Sequence, residues 1–149
     1  LNQLATRPRS TDEIRRYLAG KAFEEEAIDH VITRLTELNL LDDAAFARYW
    51  VEQRETFKPR GQRALSYELS QKGVPRELIE AAVTDVDELD SARQAAATRA
   101  DRLTRLPFDQ FRARMGGFLQ RRGFGYEVVR QVIDELWQAR VENYHEPEE

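Results

Sequence analysis

Apolar residues recur along this chain in a pattern that appears three times. Ile14, Leu18, Phe23, Ile28, Val31 and Ile32 are separated by steps of four, five, five, three and one. Leu65, Leu69, Val74, Ile79, Ala82 and Val83 keep the same steps, as do Met115, Leu119, Phe124, Val129, Val132 and Ile133. The copies are offset by 51 and then by 50 residues. Steps of three and four place residues on one face of a helix, and each pair of fives bridges a turn. Each copy therefore predicts two short helices joined by a tight turn.

Turn chemistry agrees with that reading. Gly73 and Gly123 stand where a helix end needs a left-handed residue, and Pro75 suits the start of the helix that follows. The first copy has Ala22 at this position, a left-handed alanine costing about 1 kcal/mol, so this turn is expected to differ, with Gly20 helping. Ser10 and Glu13 have the spacing of a capping box. A third helix fits between successive copies. Asp42-Asp43 would cap one carrying Phe46, Ala47, Trp50, Val51 and Arg54. Leu89, Ala92, Ala96, Ala100 and Leu103 form the next, whose alanines allow close helix approach. Pro107 ends that helix or starts the following one. Residues 1–7 read as the remainder of an equivalent leading helix.

The expected fold is thus all-α: three tandem three-helix repeats, each a helix plus a helix-turn-helix, in an elongated curved array. The expected repeats are 1–41, with a truncated leading helix, then 42–86 and 87–142, followed by a disordered acidic tail at 143–149. No stretch alternates as a strand would.

Composition narrows the function without naming it. The 149 residues carry a net charge of −4, so bulk attraction to nucleic acid is not expected. There is no cysteine, which excludes disulfides and thiolate metal sites and fits a cytoplasmic protein. No apolar run approaches the roughly eighteen residues of a membrane-spanning helix.

Residues capable of catalysis are scattered. His30 and His145 have no second ligand at metal spacing. Ser10, Ser66, Ser70 and Ser91 show no base pattern. Asp42-Asp43 and Asp85-x-Asp87 precede helices, where capping is the simpler role. Gly116-Gly117 and Gly123-Phe-Gly125 fit no phosphate loop. The glycine pair instead weakens or kinks a helix, at about 1 kcal/mol per glycine relative to alanine. No enzyme, cofactor or metal is expected; the chain should act by binding.

Charge is distributed unevenly. Between residues 93 and 122 stand Arg93, Arg99, Arg102, Arg105, Arg112, Arg114, Arg121 and Arg122, opposed by Asp101 and Asp109 alone. Lys58, Arg60 and Arg63 form a smaller group, while acid gathers at 24–26, 85–90 and 142–149. Arginine suits bidentate pairing with phosphate or carboxylate. The contact residues expected from this clustering are Lys58, Arg60, Arg63, Arg105, Arg112, Arg114, Arg121 and Arg122. Of the aromatic residues interleaved there, Phe108, Phe111, Phe118 and Phe124, the last two match or adjoin core positions and do not read as base-stacking platforms.

Four segments resemble a known family. Arg9-Ser10-x-x-Glu13-Ile14-x-x-Tyr17-Leu18-x-x-Lys21-x-Phe23 is similar to the opening signature of the RecX regulatory proteins. Leu40-Leu41-Asp42-Asp43-x-x-Phe46-Ala47-x-x-Trp50-Val51-x-x-Arg54 is the more specific block. Glu68-Leu69-x-x-Lys72-Gly73-Val74 and Leu119-x-x-Arg122-Gly123-Phe124 continue the likeness, which spans residues 4–136. The resemblance implies a monomer of tandem three-helix repeats that binds the RecA filament on single-stranded DNA. It further implies inhibition of recombinase, ATPase and co-protease activity, by blocking filament extension or promoting disassembly; a weak auxiliary contact with DNA is expected to be possible beside it. Two readings from the residues alone remain beside it: a helix-turn-helix DNA-binding protein, and a solenoid-type adaptor between proteins.

Overall fold

The computed structural model describes residues 7–145. Among them lie eight α-helices and no strand: α1 Thr11–Gly20, α2 Glu25–Glu37, α3 Asp43–Phe57, α4 Gln62–Gln71, α5 Arg76–Thr84, α6 Glu88–Ala100, α7 Phe108–Arg121 and α8 Tyr126–His145. A short 3-10 turn, Asp101–Leu103, follows α6. The pairs α1–α2, α4–α5 and α7–α8 are the predicted helix-turn-helix copies; α3 and α6 are the helices between them. Helix α8 runs beyond residue 143, where the tail was expected to begin, and 146–149 lie outside the described residues. Of the expected leading helix at 1–7, residues 1–6 also lie outside them, and Arg7 is not helical.

All three turns close in the same way. The apolar residue after the turn donates its N–H five residues back: Phe23 to Leu18 O at 3.3 Å, Val74 to Leu69 O at 3.1 Å, Phe124 to Leu119 O at 3.2 Å. The residue before it has positive φ each time: 64° at Ala22, 76° at Gly73 and 87° at Gly123. The first turn was expected to differ, but Ala22 adopts the glycine conformation despite its Cβ. The helix-ending hydrogen bonds outweigh the local strain. Asn39, φ 57°, ends α2 by the same device.

The chain packs into two compact units, residues 1–53 with 66–85, and residues 54–65 with 86–149. In the first, Ile14, Leu18, Ile28, Ile32, Leu35 and Leu41 form a buried cluster. In the second, Ala92, Ala95 and Ala96 of α6 pack with Met115, Phe118 and Leu119 of α7 and Val129, Val132 and Ile133 of α8. The small alanine side chains let three helices share one core. Phe108 and Phe111 meet Trp137 at ring centroid distances of 5.0 and 5.8 Å and extend that core.

One predicted core position is overturned. Phe23 is 53% exposed, whereas its counterparts Val74 and Phe124 are 5% and 1% exposed. The difference lies in what sits on each turn. In the first unit the start of α1 rests on the second turn: Ser10 Oγ donates to Lys72 O at 2.7 Å. A Cβ built on Gly73 would lie 2.3 Å from Asp12 Cβ. In the second unit the start of α4 rests on the third turn: Gly61 N donates to Arg122 O at 2.8 Å, and a Cβ on Gly123 would lie 2.3 Å from Ala64 Cβ. Among the described residues no helix start covers the first turn in this way.

Capping follows the sequence closely. Ser10 Oγ accepts from Glu13 N at 3.1 Å, and Glu13 Oε1 accepts from Ser10 N at 3.1 Å. Burial opposes the charge on Glu13. The hydrogen bonds from Arg7 and Ser10 and the charges of Arg7 and Lys72 outweigh it, so the carboxyl titrates below its ordinary value. Asp42 Oδ1 accepts from Ala45 N and caps α3, and Asp87 Oδ1 accepts from Asp90 N and caps α6. Asp43 Oδ1 instead accepts from Thr11 N at 2.7 Å, serving α1. His30 is exposed on α2.

Candidate functional site

Two adjoining clefts in the second unit gather the positive charge. One, of about 550 Å³, is lined by Arg99, Arg102, Arg114, Phe118 and Arg121 among others. The other, of about 390 Å³, is lined by Phe57, Lys58, Arg99, Arg102 and Arg122 among others. Arg99 and Arg102 belong to both clefts, and no carboxylate lines either.

Helix ends and one buried ring build this site. Arg99 occupies the last turn of α6 and Arg121 the last turn of α7, where the helix dipole favours a cation. Phe118 is 7% exposed and anchored in the core. The guanidinium groups of Arg99 and Arg122 lie 4.8 and 5.0 Å from its ring centroid, so the ring orients both. Gly61 N, bound to Arg122 O, ties the 58–60 linker to the end of α7. Burial, and then the like charges of Arg60 and Arg99, hold the Arg122 pKa below the usual guanidinium value. It remains protonated at neutral pH, and a bound anion would relieve that repulsion.

The structure separates the eight residues expected from sequence. Lys58, Arg114, Arg121 and Arg122 line the clefts, with Arg60 beside Arg122. Arg63 donates to Gln120 O at 3.1 Å and so satisfies a carbonyl at the end of α7. Arg105 lies in another groove with Arg140. Arg112 lies in a third, of about 630 Å³, with Arg130 and with Asp109 and Asp134. That groove is larger, but its charges balance, so it suits an anion less well. Sequence reasoning left out Arg99, Arg102 and Phe57. The arginines stood inside the basic stretch and three residues apart. Phe57 carried no signal, because its exposure depends on where α3 stops.

Among the described residues no group of acids and histidines could hold a metal ion, and no helix is long and apolar enough to cross a membrane. The chain's sequence matches all three characteristic domains of RecX: the first three-helix domain at residues 1–35, the second at 42–83 and the third at 85–133. The chain belongs to the RecX family. A regulatory protein RecX of Prosthecochloris aestuarii is 40% identical over 138 residues, covering 91% of this chain and 89% of its own. One from Mycobacterium sp. strain JLS is 33% identical over 140 residues, covering 89% and 76%. The crystal structure of RecX from Lactobacillus salivarius shares the fold, with a TM-score of 0.82 at 23% identity over 91% of this chain and 90% of that one. These RecX relatives bear the name of regulatory proteins, and the arginine clefts draw on the third RecX domain and on residues 57–59 of the second.

Proposed function

We propose that this chain regulates the RecA recombinase by binding the filament that RecA forms on single-stranded DNA, opposing its extension or favouring its loss. Family membership supports the choice of partner. The observation that carries the reading is the pair of joined clefts lined by cations and by no carboxylate. RecA-coated DNA offers phosphates, and a protein surface offers carboxylates; arginine pairs with either. Of the expected contact residues, Lys58, Arg60, Arg114, Arg121 and Arg122 are the ones proposed to touch the filament. The mechanism is binding, with no chemical step. A regulator shifts assembly only as far as it prefers one state of the filament over another, and contact with neighbouring subunits would supply that preference.

The test is RecA ATP hydrolysis on single-stranded DNA with this chain added below one per RecA. Strong inhibition is expected. No inhibition at saturating amounts of the cognate pair would overturn the proposal. Reversing the charge of Arg114 and Arg121 together should weaken inhibition at least about tenfold, equivalent to roughly 1.4 kcal/mol. Reversing Arg112 alone should change it little.

A further inference from the structure

We infer that the arginine clefts bind single-stranded nucleic acid directly, without RecA, with Phe57 stacking on a base while Arg99, Arg102 and Arg122 hold the adjoining phosphates. Phe57 is the last residue of α3 and lines the smaller cleft beside those arginines. It is 77% exposed, the most open large apolar side chain among the described residues. An aromatic face next to a row of cations is the combination that holds a single strand: the ring takes a base and the cations track the backbone.

Phe118 cannot supply that stacking face, since it is buried in the core and two guanidinium groups already lie over its ring. It is a positioning residue, holding Arg99 and Arg122 toward the clefts. A duplex is disfavoured because its bases are already stacked and out of reach of Phe57. The second helices of the first two helix-turn-helix pairs do not read a duplex either. Glu25, Glu26 and Asp29 on α2, and Glu77 and Glu80 on α5, are exposed and would repel phosphate. An acidic protein surface would pair with the arginines but would leave the exposed face of Phe57 without a base to stack on. No Asn, Gln, Asp or Glu lines either cleft, so the side chains that read adenine and cytosine edges are missing there.

The test uses this chain alone with a fluorescent oligothymidylate, followed by anisotropy across a salt series. The single strand should bind more tightly than a duplex of equal length. Phe57→Ala should weaken binding between about 5- and 150-fold with an unchanged salt slope, and Phe57→Trp should restore it. Arg102→Gln should lower the slope of log affinity against log salt by about 0.7. Phe57 and Arg102 are exposed, so thermal unfolding of each variant should match the parent. Absence of binding at low salt would overturn the inference. So would parental affinity in Phe57→Ala, a duplex bound as tightly, or full competition by oligoglutamate. Because RecA is absent, a chain that inhibits RecA yet ignores oligothymidylate would lose this inference and keep the proposed function.

Discussion

Ala22 carries a Cβ in the backbone conformation that its two counterparts reserve for glycine. Ala22→Gly should therefore stabilise the chain by about 1 kcal/mol, measured by urea unfolding. Gly73→Ala should cost more than the same amount in the opposite direction. It adds the left-handed strain and also drives a Cβ to within 2.3 Å of Asp12 Cβ. Alignment of the three copies was enough to identify Ala22 as the odd residue. It did not reveal that the turn keeps its shape, because the hydrogen bonds from Ala22 to Ala19 and from Phe23 to Leu18 are settled by the assembled helix. Glu13 gives a second test at this scale. Its folded pKa is depressed, so its contribution is present above the ordinary glutamate value and fades as pH falls through the folded value. Glu13→Gln should flatten the loss of stability below about pH 4.5, read from melting temperature against pH.

Helix α7 continues without a break from Phe108 to Arg121 through Gly116 and Gly117. Sequence predicted a weakened or kinked helix there; the helix forms because Phe111, Met115, Phe118 and Leu119 bury one face of it. Neither glycine is required by its neighbours. A Cβ on Gly116 would meet Ile133 Cδ1 at 3.6 Å, an ordinary contact, and one on Gly117 would meet only the tip of Arg121, at 3.1 Å. Gly116→Ala should therefore stabilise by up to about 1 kcal/mol in thermal unfolding. Gly117→Ala should yield less, because Arg121 must move. At this scale the helices and caps were legible in the sequence, since periodicity and capping are local. The partners of individual residues were not: Asp43 serves α1 across 32 residues, and Arg63 serves the end of α7 across 57. The site followed the same rule. Its charge could be counted along the chain, but the separation of Arg112 from Arg121 depends on which way each face of α7 turns, and Arg105 precedes that helix.

Across the whole molecule one junction is used twice, with different results. Ser10 and Gly61 occupy equivalent repeat positions, and each donates to the carbonyl just before a left-handed glycine, on Lys72 and on Arg122. In the first unit this contact joins the start of α1 to the second turn. In the second unit it also holds Lys58 and Arg60 near Arg122, and so assembles the smaller cleft. A Cβ on Gly61 would lie 2.2 Å from Gly123 O, a backbone atom that cannot swing aside as a side-chain tip can. Gly61→Ala should therefore push the 58–60 linker away from α7. Overpacking of this kind costs about 1–3 kcal/mol, and Phe57 and Lys58 would shift relative to Arg99, Arg102 and Arg122. Gly73→Ala should destabilise comparably while leaving the clefts intact. At a temperature where circular dichroism shows both variants folded, Gly61→Ala should lose affinity for oligothymidylate and Gly73→Ala should retain it. Equal affinity in the two would show that the junction supports the fold without shaping the site.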